Sequence, residues 1–172
     1  MSKQPEAYIN FEVYEDSVNL LGIAKATLPN VAFLSQTVAG AGIAGNIDAV
    51  LVGMVEAMSM TLNFRSATDA AASLAAPRKH NIDLRVAEQY WDTAGVAKEV
   101  QADKYVMVVF PKNTTPGSVA PASAADTSGE YSVYYYAAYK DGKKLWEIDP
   151  YNQICEIDGV DYLAPVRTAL GK

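Results

Sequence analysis

Residues 58–64 read Met-Ser-Met-Thr-Leu-Asn-Phe, apolar and polar side chains in strict alternation. A period of two belongs to an extended strand, whose successive side chains point to opposite faces. Met58, Met60, Leu62 and Phe64 therefore share a dry face, and Ser59, Thr61 and Asn63 a wet one. The pattern recurs with Ile9, Phe11 and Val13 against Asn10 and Glu12, and again with His80, Ile82, Leu84 and Val86 against Asn81, Asp83 and Arg85. Turn formers punctuate these runs: "EDS" at 15–17, "DTAG" at 92–95 and Asp141-Gly142, the last being the dipeptide that two-residue hairpins favour. One internal helix interrupts them at 66–76, alanine-rich, with Ser66 or Thr68 as N-cap and Pro77 as terminator.

Chain length fits one domain, residues 1–172. The fold class is mainly β: an antiparallel sandwich or barrel with one internal helix, a long β-hairpin over 31–64 and a short C-terminal segment, "YLAPVRTALGK". The stretch 113–129, built almost wholly of small residues, proline and glycine without periodicity, reads as an exposed loop.

Composition excludes several classes. Half the residues are hydrophobic, which rules out a disordered chain, yet no uninterrupted apolar run is long enough to span a bilayer, so no membrane anchoring is expected. "MSKQPEAY" lacks an apolar core and a cleavage pattern, and the single cysteine cannot form an internal disulfide; both point to synthesis in the cytoplasm. A formal net charge of -6 argues against a surface that grips nucleic acid, because such surfaces replace phosphate counterions with lysine and arginine.

Four features suggest chemistry, and none sustains it. Glu-Ile-Asp occurs at 147–149 and 156–158, each copy ending at a turn former, Pro150 or Gly159. A calcium loop needs oxygen ligands on alternate residues and a bidentate glutamate at its end, and neither copy continues that way. Strand alternation explains the repeat instead, with Trp146, Ile148, Cys155 and Ile157 facing away from Glu147, Asp149, Ile154 and Glu156. "GAGIAG" at 40–45 has the spacing of a dinucleotide fingerprint, which must join a strand to a helix so that amide groups face the pyrophosphate. The chain continues with "NIDAVLVGM", better suited to a strand, so a flexible hairpin tip is the more economical reading; a nucleotide-binding enzyme using 40–45 is the alternative from a different class. His80 and Cys155 have no local support as a catalytic pair, no metal-ligand spacing exists, and no cofactor is expected. Eleven tyrosines, five of them within "EYSVYYYAAY", lack the interleaved arginines of a stacking platform and imply packing on both faces of one strand.

Residues 140–172, "KDGKKLWEIDPYNQICEIDGVDYLAPVRTALGK", closely resemble the C-terminal segment of the major tail tube proteins of contractile-tailed phages and the related R-type bacteriocins. The matching positions are Asp141, Gly142, Glu147, Ile148, Asp149, Asn152, Gly159, Val160, Asp161, Leu163, Arg167, Leu170 and Gly171, with Asp158 where that family usually has asparagine. "GIAKATLPNVAF" and "AGAGIAGNIDAVLVGMVEAMSM" are similar to its early strand and long hairpin, whereas 66–130 matches little.

The resemblance implies a structural protein, not an enzyme, forming hexameric rings whose sheets join edge to edge into one barrel. Rings stack into a tube inside a contractile sheath, and the tube protein of type VI secretion is the nearest alternative. The implied partners are further copies of the chain, the sheath protein, baseplate and tail-terminator proteins, and a tape-measure protein in the lumen, with DNA only in transit. The implied location is a virion tail or phage-like particle, made in the host cytoplasm and released on lysis. Gly40, Gly42, Ile43, Gly45, Ile47, Val50, Leu51 and Val52 are expected to order against neighbouring subunits, because a glycine-punctuated apolar stretch has little to pack on within its own. Glu56, Ser59, Thr61, Asn63, Asp83 and Glu88 are expected to face the lumen. Asp161, Tyr162, Leu163, Arg167 and Leu170 are expected to meet an adjacent ring or the sheath.

Overall fold

The computed structural model describes residues 3–172. Strand β1 (Lys3–Glu15) turns through Asp16 and Ser17, both at positive φ (47° and 70°), into β2 (Val18–Leu20). Two left-handed residues give the turn a twist that matches a hairpin. Leu21 and Gly22 then swing the chain into β3 (Ile23–Thr27). Strands β4 (Phe33–Val38) and β5 (Ile47–Val55) form a separate two-stranded ribbon, and β6 (Met58–Phe64) returns to the main sheet beside β3. Helix α1 (Asp69–Leu74) is capped by Thr68, whose Oγ1 accepts from Ala71 N at 3.3 Å. The rest is β7 (His80–Asp92), β8 (Ala97–Thr115), β9 (Thr127–Lys140), β10 (Lys143–Asp149), β11 (Ile154–Ile157), β12 (Val160–Asp161) and helix α2 (Ala164–Ala169).

The main sheet runs β12-β11-β10-β9-β8-β7-β1-β2, every pairing antiparallel, and β6 and β3 branch from it at β9. The branch has a local cause. Residues Thr127–Val133 of β9 pair with β6, whereas Tyr136–Lys140 pair with β10. Between them a bulge sets Val133 opposite Val109 but Tyr135 opposite Val108, leaving Tyr134 as the extra residue. An extra residue bends its strand, so one edge of β9 serves two partners that diverge around a core. Met58, Met60, Leu62 and Phe64 fill that core together with Ile82, Leu84, Met107, Val109, Tyr131, Tyr136 and Leu74 of α1. Burial pushes the Tyr131 and Tyr136 hydroxyls up to about 12, as removing a phenolate from water requires. His80 is also fully buried, with Nδ1 against Glu15 and Nε2 2.9 Å from the Ala76 carbonyl oxygen. It ties β1 and β7 to the end of α1.

Four local expectations shift. The hairpin expected over 31–64 is confined to Phe33–Val55, because the dry face of β6 belongs to the core. The loop expected over 113–129 spans only 116–126: the β8–β9 ladder continues through Asn113↔Glu130 and Thr115↔Ser128, and backbone hydrogen bonds override the loop-like composition. Ile9 leaves the face it was expected to share with Phe11 and Val13, since a register shift between Tyr8 and Asn10 makes it a bulge residue, 55 % exposed. The C-terminal segment contains a second short helix, begun without a side-chain cap and with Pro in its first turn.

Candidate assembly surfaces

The β4–β5 ribbon is an arm. Its ladder runs from Phe33↔Val55 to Val38↔Ile47, and Thr37 Oγ1 donates to Asp48 Oδ1 at 3.0 Å near the far end. At the tip, a Cβ added to Gly40, Gly42 or Gly45 would meet nothing within 4 Å, so these residues stand clear of the body. "GAGIAG" thus joins two antiparallel strands, and no helix N-terminus follows it to receive a pyrophosphate. Ile43, Ile47, Val50, Leu51 and Val52 are all exposed, Val52 at 63 %. Consecutive residues of a strand point to opposite faces, so the arm is apolar on both sides.

The wet face of β6 continues onto β9. Ser59 lies opposite Ser132, Thr61 opposite Glu130 and Asn63 opposite Ser128, while Lys112 pairs with Glu130 at 3.3 Å. Hydroxyl and amide groups dominate this surface, and Glu56 is exposed where β5 passes to β6. Asp83 faces outward from β7, 3.1 Å from Arg85 Nη2 and 3.3 Å from Lys104 Nζ.

Glu88 corrects the expectation that grouped it with Asp83. They stand five positions apart on a strand whose pairing with β8 is uninterrupted, so they face opposite sides; Glu88 shares the face of Ile82 and Leu84 and is buried. Its carboxylate meets Lys140 Nζ at 2.8 Å and Tyr90 Oη at 2.7 Å. Burial alone would raise the Glu88 carboxyl, but the Lys140 and Tyr90 hydrogen bonds hold it below its usual range. Asp103, buried beside it, is pushed up to about 6 by burial and then by the Glu88 carboxylate. An acid with a raised folded-state pKa binds its proton more tightly folded than unfolded, so the contribution of Asp103 to stability rises as pH falls from 7 through 6 toward the unfolded value near 4. Asp103→Asn should stabilise the subunit by about 1–3 kcal/mol at pH 7 and flatten that rise. Urea titrations at pH 7 and pH 5 read both effects, and an unchanged pH slope in the variant would contradict them.

The Glu-Ile-Asp repeat is a hairpin, with Ile148 opposite Cys155 and Glu147 opposite Glu156. Lys144 lies between the carboxylates, 2.6 Å from Glu147 and 3.5 Å from Glu156. Its hydrogen bond is the main reason Glu147 is held below its usual range. Beyond the hairpin, Asp161 Oδ1 accepts from Leu163 N at 3.0 Å and Cys155 N at 3.4 Å, and Oδ2 meets Arg167 Nη2 at 2.6 Å. Arg167 Nη1 also donates to the Gln153 carbonyl oxygen. Leu163 is buried, whereas Tyr162 and Leu170 are exposed.

Residues 5–171 match the family model described as phage tail tube protein FII. The chain belongs to that family. It is a family of structural tail tube proteins, components of phage-like contractile particles. No curated protein sequence matches the chain. Among solved structures, it is similar to a chain of the PVC sheath/tube terminator in the extended state, from a cryo-EM structure of an extracellular contractile injection system, with 12 % identity, a TM-score of 0.54, and coverage of 78 % of this chain and 96 % of that one. A chain of the PVC sheath-tube complex in the extended state gives 12 % identity, a TM-score of 0.48, and coverage of 76 % and 88 %.

Three features of this tail tube protein escaped sequence reasoning. The Glu88–Asp103–Lys140 cluster joins three strands; parity along β7 puts Glu88 on the dry face, but no local pattern marks Asp103 and Lys140 as its neighbours. Phe110, Tyr134 and Tyr151 form an exposed aromatic group with ring centroids 5.0 and 5.9 Å apart, created by the bulge that turns Tyr134 outward. Gly53, read as part of an apolar run, touches Leu163 across the fold. Its position inside a strand was the available signal, since such glycines mark close backbone approaches.

Proposed function

We propose that the chain is the repeating, non-catalytic subunit of a contractile tail tube, forming hexameric rings that stack around a central channel inside a sheath. The arm carries this reading. Val50, Leu51 and Val52 stand exposed on a ribbon that, among the described residues, pairs with no strand of the main sheet. Isolated two-stranded hairpins are marginal in water and exposed apolar patches mark association, so the arm's partner is a neighbouring copy, met through Gly40, Gly42, Ile43, Gly45, Ile47, Val50, Leu51 and Val52. The main sheet is open, and pairing its edges with adjacent copies would close the ring.

Ser59, Thr61 and Asn63 line the channel in this reading, with Glu56 and Asp83 contributing acidic groups. A wall of hydroxyls and carboxylates lets DNA or a tape-measure protein pass, where repeated lysines would bind phosphate and trap it. Tyr162 and Leu170 meet an adjacent ring or the sheath, on a segment that Asp161, Leu163 and Arg167 hold in place. Baseplate and tail-terminator proteins cap the two ends of the tube. The particle is a virion tail or headless equivalent, assembled in the host cytoplasm and released on lysis.

Sedimentation velocity and negative-stain microscopy of the concentrated protein test the reading. Rings that extend into filaments are expected. A protein that stays monomeric, or closes single rings that never stack, would overturn it.

A further inference from the structure

Gly53 is the only buried residue of β5. Its φ is +74°, and a Cβ built there would lie 2.7 and 2.8 Å from Cγ and Cδ2 of Leu163 and 3.6 Å from Cβ of Cys155. No side chain fits without expelling Leu163. Beside this seat the arm and the body enclose two open apolar grooves, which share Phe33 and Ile157 in their walls. One of about 310 Å³ is lined by Val50, Val52 and Tyr162 among others, and one of about 220 Å³ by Val31, Phe33 and Trp146 among others. The arm is therefore held by Val55 against the core at its base and by the close Gly53–Leu163 contact, with open space beside that contact, so Gly53 is where its direction can be set.

Leu163 is itself fixed from the far side. Its N–H donates to Asp161, Tyr162 N donates to Cys155 O at 2.9 Å, and Arg167 bridges Asp161 and the Gln153 carbonyl while its own N–H closes the first turn of α2 on Leu163 O at 3.0 Å. We propose that the C-terminal segment is a latch for the arm: Leu163, held by Asp161 and Arg167, is the positioning residue that seats Gly53 and sets the direction in which the arm leaves the subunit. Because the arm and α2 share this seat, displacing one loosens the other, and coupling of that kind is reciprocal. A contact that shifts α2 thereby frees the arm, and an arm captured by a neighbour shifts α2. This role rests on the arm's being an assembly element, as proposed above, but the latch itself is a property of the single subunit.

Spin labels on Gln36→Cys in the arm and Lys143→Cys in the main sheet report the arm's direction in dilute protein, below the concentration at which it assembles; the native Cys155 is buried. The parent should give one narrow distance distribution. Leu163→Ala and Arg167→Ala should each broaden it by about twofold or more while the strand circular dichroism is unchanged, and Arg167→Lys should broaden it less. Should Leu163→Ala fail to fold, Arg167→Ala decides, since it removes an anchor outside the core. A parent distribution already broad, or a narrow one unchanged in the folded alanine variants, would overturn the latch. Neither result depends on tube formation, so failure to polymerise would count against the tube reading and leave the latch standing.

Discussion

Deleting residues 40–45 should leave a folded subunit that no longer polymerises. The deletion joins Ala39 to Asn46, a two-residue link between Val38 and Ile47, which already face each other in the ladder. Hairpins of that length are common, and asparagine tolerates the left-handed backbone that such turns require. Nothing in the core is touched, because the tip glycines have open space around them. Secondary structure and denaturation midpoint should therefore stay close to the parent's. Assembly should be lost, because the tip and its exposed Ile43 are removed, and no other part of the arm reaches as far. Circular dichroism and sedimentation velocity on the same sample separate the two effects. Filaments of normal length from the deletion would remove the arm from the interface.

The largest effect on stability is expected at Leu62. It is fully buried on β6, the strand that joins β3 to β9 and closes the core. Leu62→Ala should cost about 2–5 kcal/mol through lost burial and the cavity left behind. Against a total stability of about 5–15 kcal/mol, that leaves a marginal domain. Thr61→Ala, one residue away on the wet face, should shift stability by about 0.5 kcal/mol or less. Both belong in urea titrations of dilute protein, since assembly would add its own stabilisation. Equal losses at the two positions would contradict the alternation on which the fold is read.

Local chemistry decided what was legible in the sequence. Met58 to Phe64 alternate because β6 has one face in the core, and Asp141-Gly142 turns because both residues accept positive φ, 47° and 78°. The turn at Asp158 and Gly159 repeats this at 50° and 81°, which is why Asp158 can stand where asparagine is usual. Features that depend on distant pairing were not legible. Ile9 lost its expected face to a bulge that only the β1–β7 register reveals. The Thr115 and Thr127 ends of β8 and β9 look like loop in composition and are strand because each supplies the other's hydrogen bonds. Gly53 and Leu163 meet across the fold, and sequence shows only that each is apolar or small. Glu88 is different: its parity relative to Asp83 already placed it on the dry face, where an unpaired carboxylate would be costly and Lys140 supplies the partner.

A helical reconstruction of filaments assembled from the full chain tests the tube assignment most directly. Hexameric rings are expected, with Ile43, Ile47 and Val50 to Val52 buried against neighbouring copies and Ser59, Thr61 and Asn63 facing the channel. A reconstruction in which the arm lies free in solvent, or in which lysine and arginine line the channel while Ser59, Thr61 and Asn63 face outward, would contradict it.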